Sequence, residues 1–201
     1  MIKYRGGKSR EIPIITKHIP DYSGRYIEPF LGGGAVFFHL EPKQAIINDI
    51  NTPLMFFYEG VRNRFKDLRQ ELDSIEKTFD MLKAILPNER VTDNNEALYY
   101  SIRDMYNNLT DKRYSDALLY YFINKTSYSG MIRYNARGEF NVPFGRYRSI
   151  NTNLITEKHS ALLQRAELYN VDYSDILDKC EQNDFVFLDP PYDCNFSDYG
   201  N

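Results

Sequence analysis

The run Asp189-Pro190-Pro191-Tyr192 directly follows the apolar segment Phe185-Val-Phe-Leu188. By average composition such a tetrapeptide arises in a chain of this length with a probability on the order of 10⁻³. A Pro-Pro turn closing a strand would explain the residues blandly. The position is the carboxyl end of a strand, however, where open α/β sheets bind ligands. The chemistry that suits these residues is attack by an exocyclic amine. The amine of an adenine ring is a poor nucleophile because its lone pair is delocalised into the ring. A carboxylate and a backbone carbonyl that each accept one of its N–H bonds draw that lone pair out of conjugation. They also stabilise the charge that develops on nitrogen. Asp189 offers the carboxylate and Pro190 the carbonyl, the prolines restrict the backbone, and Tyr192 offers a face on which an extruded base can stack.

A second run, Glu28-Pro-Phe-Leu-Gly-Gly-Gly34, places three glycines where a backbone must pass close to a ligand. Glu28, Phe30, Gly32 and Gly34 are its candidate contacts. It lacks the G-x-G-x-x-G spacing of dinucleotide folds, which disfavours a nicotinamide enzyme. Asp49 follows 15 residues after Gly34, where an acid can accept hydrogen bonds from ribose hydroxyls. Together with Asp189 this describes a site for an adenosine-type cofactor. A sulfonium donor fits it, since methyl transfer to nitrogen needs neither a metal nor a phosphate cradle.

A third stretch, residues 124–147, interleaves Lys125, Arg133, Arg137 and Arg146 with Tyr128, Ser129, Met131, Asn135 and Pro143. Arginine binds phosphate or guanine, asparagine pairs with adenine, and apolar groups touch a thymine methyl. Taken alone, the stretch reads as a Gly-rich surface hairpin with solvated charge. A second basic cluster, Lys3, Arg5, Lys8 and Arg10, opens the chain, and acids collect between Asp172 and Asp184. The net charge of −3 over 201 residues therefore hides two basic patches.

Composition narrows the class. No apolar run is long enough for a transmembrane helix, and Met1-Ile-Lys-Tyr-Arg-Gly-Gly-Lys8 has no signal-peptide core. Cys180 and Cys194 cannot form a disulfide framework or a four-ligand zinc site. His18, His39 and His159 lack ligand spacing, and no metal site is expected. His39, inside an apolar helix, reads as a core residue. A cytoplasmic protein with reduced thiols is expected.

Positioning these groups requires a parallel α/β sheet. Residues 26–34 read as a strand entering a glycine turn, residues 35–40 as a helix, and Ala45-Ile-Ile-Asn-Asp49 as a second buried strand. Thr52-Pro53 reads as a capped helix start. The period is then helical to about residue 125. Leu68, Leu72 and Ile75 share one face, Asp93-Asn-Asn-Glu96 resembles a capping box, and Ser115 caps a further helix. Residues 157–167 read as helix and Phe185-Val-Phe-Leu-Asp189 as a third buried strand. The expected organisation is a sheet domain from 1–58 and 156–201, with a mainly helical insert at 59–155.

The series Lys3-Tyr-Arg-Gly-Gly-Lys8, Glu28 to Gly34, Ile47-Asn-Asp-Ile-Asn51, Arg133-Tyr-Asn-Ala-Arg-Gly-Glu-Phe-Asn-Val-Pro-Phe-Gly145 and Asp189 to Tyr192 resembles, in order, the Dam-type family of DNA adenine-N6 methyltransferases. The resemblance implies a Rossmann-like methyltransferase sheet, S-adenosylmethionine as cofactor, duplex DNA as substrate and base flipping. By matching position it implies that Tyr4, Lys8 and Asp49 contact the cofactor and that Asp172 and Tyr173 line its adenine pocket. Asp189, Pro190, Pro191 and Tyr192 would hold the target adenine. Met131 and Arg133 would read bases and Arg146 would hold phosphate. Ser129-Gly130 stands where many relatives have Asn-Gly. A short site such as GATC, a cognate restriction endonuclease as partner, and a cytoplasmic or nucleoid-associated location follow by analogy alone. The family continues beyond the Asp-Pro-Pro-Tyr loop. The 201 residues are therefore expected to lack C-terminal strands, and to need the missing segment in cis or in trans for solubility and turnover. A DNA-binding protein without turnover and a methyltransferase of RNA or protein amines remain as alternatives.

Overall fold

A computed structural model describes residues 1–4, 6–84 and 93–191; the side chains of 83, 84 and 93 lie outside it. Among the described residues, four parallel strands form one sheet. In chain order the elements are α1 (Ile12–Ile15), β1 (Tyr26–Glu28), α2 (Ala35–Leu40), β2 (Ala45–Asn48), α3 (Thr52–Asn63), α4 (Phe65–Ala84), α5 (Asp93–Tyr106) and α6 (Asp116–Thr126). They are followed by α7 (Glu157–Leu163), β3 (Ala166–Tyr169), α8 (Tyr173–Leu177) and β4 (Phe185–Val186). The strand order is β3-β2-β1-β4. Tyr26 stands opposite Ala45 on one side and Phe185 on the other. The chain thus moves outward from β1 to β2 and β3, then returns to β1's free side with β4. That reversal creates a topological switch point between β1 and β4, where such sheets open a crevice at their carboxyl ends.

β1 and β2 are buried throughout, as central parallel strands covered by helices on both faces must be. The helical segment between β2 and β3 is continuous with this core. Phe57 of α3 stacks on Tyr121 of α6, ring centroids 6.0 Å apart. Gly60 lets α3 and α6 close together, since a Cβ there would lie 2.4 Å from the Ala117 Cβ. Leu68, Leu72 and Ile75 of α4 are buried in the same cluster, and Ser115 caps α6 by accepting from Leu118 N–H. Residues 127–150 form an ordered, irregular hairpin. Bridges pair Ser127 with Phe144 and Tyr134 with Phe140, while Phe140, Val142, Phe144 and Ile150 anchor it in the core.

Several expectations are corrected. Helix α7 ends at Leu163, and the stretch read as its last turn is strand β3. Its mixed pattern Ala-Glu-Leu-Tyr belongs to a sheet edge, with Glu167 exposed. Strand β4 is half-buried, not buried. Among the described residues it too is an edge, and Leu188 beyond it is 53% exposed. The cap of α3 is Asn51, whose side chain accepts from Leu54 N–H; Thr52 instead donates to Asn170. His39 is exposed, because α2 turns that face away from the sheet. The capping-box side chain of Asp93 lies outside the described residues, as do Tyr192 and Cys194.

Candidate active site

At the switch point lies a cleft of about 630 Å³. Its floor is the glycine turn after β1. Gly32 and Gly34 have φ of +50° and +65°, a region that side chains with a Cβ enter only at a cost. The turn is tied down from three directions. Gly32 N–H donates to Asp49 Oδ2 at 2.8 Å, Tyr58 Oη donates to the Gly32 carbonyl at 2.8 Å, and Leu31 N–H donates to the Asn48 carbonyl at 2.8 Å. The Tyr4 ring lies over Gly32, so that a Cβ there would fall 2.6 Å from its edge.

Tyr4, Lys8, Glu28, Phe30, Gly32, Gly34, Asp49, Asp172, Tyr173 and Asp189, scattered over most of the chain, all line this cleft, as do Pro190 and Pro191. Phe30 and Tyr173 face one another with ring centroids 5.2 Å apart. Asp172 caps α8 by accepting from Ser174 N–H and Oγ, and these bonds hold its carboxyl below the ordinary aspartate range. Asp49 accepts from two backbone amides, of Gly32 and Asn51. Burial outweighs those bonds and raises its carboxyl. Asn48 was not singled out from the sequence, yet it pins both walls of the cleft. Its amide donates to the Pro29 and Val171 carbonyls, and its carbonyl accepts from Val171 N–H. A buried asparagine ending an apolar strand was the signal available.

Charge is unevenly handled here. Lys8 Nζ lies 2.9 Å from Asp189 Oδ1, so the ammonium of the N-terminal segment sits on the carboxylate of the Asp-Pro-Pro turn. Glu28 is 3% exposed. Burial pushes its carboxyl up to about 8, and the charges of Asp189 and Asp49 add to the effect. The Tyr26 hydroxyl and the Phe37 backbone oppose it. Burial and the Asp49 charge likewise push the Tyr4 phenol to about 12.

None of the nine residues singled out for nucleic-acid contact lines the cleft; Gly130 and Ile132 are the hairpin residues that do. Tyr128, Ser129, Arg133, Arg137, Pro143 and Arg146 are exposed, while Lys125, Met131 and Asn135 are half-buried. Arg133 Nε donates to Asn141 Oδ1 at 2.8 Å. Asn135 is committed to the turn. Its Oδ1 accepts from Arg137 and Glu139 N–H, and its Nδ2 donates to Glu139. Burial and then Lys3 lower the Lys125 ammonium to about 8. Ser129 and Gly130 both have positive φ, +54° and +62°. The first residues of the chain attach this hairpin to the cleft. Lys3 exchanges backbone hydrogen bonds with the Asn124 side chain, and its ammonium donates to the Lys125 carbonyl and lies 3.7 Å from the Tyr147 ring centroid.

A family profile described as D12 class N6 adenine-specific DNA methyltransferase matches residues 4–201. The chain is 32% identical over 205 residues to the type II methyltransferase M.CviBI of Paramecium bursaria Chlorella virus NC1A, covering 100% of this chain and 71% of that protein. It is 35% identical over 209 residues to the type II methyltransferase M.MjaIII of Methanocaldococcus jannaschii, covering 95% and 68%. It is 31% identical over 192 residues to the DNA adenine methylase of Escherichia coli (strain K12), covering 95% and 64%.

Proposed function

The chain belongs to the D12 class of N6 adenine-specific DNA methyltransferases, and from that premise we propose that it methylates the N6 amine of an adenine extruded from duplex DNA, with S-adenosylmethionine as the donor. The cleft fits that donor in size and in donor set. It offers carboxylates for hydroxyl and amine groups, a glycine turn open to close backbone approach, and the Phe30–Tyr173 pair as apolar flank. When bound, the donor supplies an electrophilic methyl on a sulfonium.

The protein's part is to hold and activate the amine. Asp189 accepts one N–H and the Pro190 carbonyl the other, aiming the nitrogen lone pair into the cleft. Lys8, paired with Asp189, orients that carboxylate as an acceptor. Asp49 takes ribose hydroxyls on lone pairs left beside its two amide bonds, and Asp172 and Tyr173 flank the adenine ring of the donor. Residues 59–155 serve as the target-recognition insert on a catalytic domain of 1–58 and 156–201. Within the insert, Arg133 and Met131 read base edges, while Lys125, Tyr128, Ser129, Arg137, Pro143 and Arg146 track the duplex. Asn135 supports the turn that carries Arg137. A short site with A·T pairs follows, with GATC the first sequence to assay.

The observation that carries this reading is the convergence of the Lys8–Asp189 pair, Pro190, Pro191 and the glycine turn on one cleft. The test is tritiated methyl transfer to duplex DNA with Asp189→Ala beside the unaltered chain. The variant should lose transfer while still binding the donor in calorimetry. Normal methylation by Asp189→Ala would overturn the mechanism, and transfer to RNA or protein but not to DNA would overturn the substrate.

A further inference from the structure

Besides Asp172, which caps α8, three carboxyls meet in the cleft, and the fold treats each differently. Asp49 is held by two backbone amides and Asp189 by the Lys8 ammonium. Glu28 receives a hydrogen bond from the Tyr26 phenol, at 2.7 Å, together with one from the Phe37 backbone, and no charged donor appears among these. The groups facing it are Tyr26 on its own strand, Asp49 at the end of β2, Asp189 beyond β4, Tyr58 on α3, and Lys8 and Tyr4 of the N-terminal segment across the cleft. Two of these are carboxylates, and three are phenols that burial keeps neutral. A carboxyl so placed holds its proton at neutral pH, consistent with its titration near 8.

On the reading that Asp189 holds the reacting amine, the methyl carbon on the sulfonium must come within about 3 Å of that amine nitrogen at transfer, with the sulfur in line behind it. Glu28 ends β1 and Asp189 lies just beyond β4, the two strands pairing in the register Ile27 to Val186; both line the cleft, and the Asp189 charge acts on Glu28. The cationic sulfur therefore arrives beside Glu28. We infer that Glu28 is a proton-linked sensor of the sulfonium: its carboxyl is protonated in the free protein, ionises when the positive sulfur settles in the cleft, and takes a proton back once the methyl has left and the sulfur is neutral. A unit charge about 6 Å away at an effective dielectric near 20 lowers a carboxyl's titration by roughly two pH units. That carries Glu28 from above neutrality to below it. The device favours the charged donor over its neutral, demethylated product with no contact to the methyl itself. It does so increasingly as pH rises from about 6 to about 8.

The test is titration calorimetry at pH 7.0 in phosphate and in Tris, whose ionisation heats differ, so that the difference counts protons. S-adenosylmethionine should release roughly 0.8 proton on binding, and S-adenosylhomocysteine close to none. In the Glu28→Gln variant, which keeps the shape of the protonated acid, the release should vanish. Between pH 6 and 8 the donor's affinity for the unaltered chain should rise at least tenfold relative to the product's. Binding of the donor without proton release, or with release that persists in Glu28→Gln, overturns the inference while leaving the cofactor reading intact. Failure of the unaltered chain to bind the donor at all overturns both. The comparison of the two ligands on the unaltered chain decides the matter even where the variant folds poorly.

Discussion

Replacing Asp184 by Asn tests how the reactive turn is held in register. Asp184 stands just before β4, with its side chain 3% exposed. It accepts from Arg25 N–H at 2.7 Å, from Arg25 Nη2 at 2.8 Å and from Glu181 N–H at 2.9 Å. Arg25 leads into β1, so the pair fixes the starts of two neighbouring strands, β1 ending in Glu28 and β4 leading on toward Asp189. The Arg25 hydrogen bond, with the two amides and the charge, holds the Asp184 carboxyl down at about 2 from 3.8. That difference corresponds to about 2 kcal/mol. The guanidinium is 22% exposed, and asparagine retains an acceptor, so Asp184→Asn should cost about 1–2 kcal/mol at pH 7. Because the folded value is depressed, the contribution is present above about pH 4 and disappears as pH falls toward 2. Urea unfolding of both chains across this range should show curves that differ at pH 7 and converge in acid. A difference below about 0.3 kcal/mol at pH 7, or one unchanged down to pH 2.5, would refute the assignment of this pair as the register clamp.

Gly60→Ala should destabilise by about 1–3 kcal/mol in thermal unfolding despite alanine's better helix propensity, because its Cβ would meet the Ala117 methyl at 2.4 Å; a gain in stability would show that α3 and α6 can separate freely. Ser129→Gly should stabilise the hairpin by about 0.5–1 kcal/mol, since Ser129 sits at φ +54°, and an unchanged or lowered melting temperature would count against strain there. Arg133→Ala should cost about 1–3 kcal/mol of DNA affinity on cognate duplex and relax specificity, whereas Arg146→Ala should weaken all duplexes alike and flatten the salt dependence. Equal losses on cognate and scrambled duplex for Arg133→Ala, in a binding titration at two salt concentrations, would remove its base-reading role.

Much of the sheet was legible because buried parallel strands carry apolar runs on both faces, as Tyr26–Glu28 and Ala45–Asn48 do. Strand β3 was not, because an edge strand with Glu167 in solvent has no such run and blends into the helix before it. His39 misled for the opposite reason. Apolar neighbours in sequence do not make a residue buried when the helix turns only one face to the core. Lys8 lines the cleft as its position implied, but its ion pair is with Asp189, a partner 181 residues away that no local pattern reveals. Asn135 had the chemistry to pair with a base, yet its amide is committed to the turn.

The residue types at the strand ends, the glycine turn and the Asp-Pro-Pro run were determined by sequence alone. The chemistry of an amine acceptor and of close backbone approach admits few residues, and those sit next to the strands that present them. The state of those groups was decided by tertiary structure. Glu28, Asp49 and Asp189 are all carboxyls in the sequence. One is buried with a phenol, one is tied by amides and one is paired with an ammonium. Desolvation and pairing depend on what the folded chain brings within a few ångströms, and that proximity is not written in the spacing of residues along it.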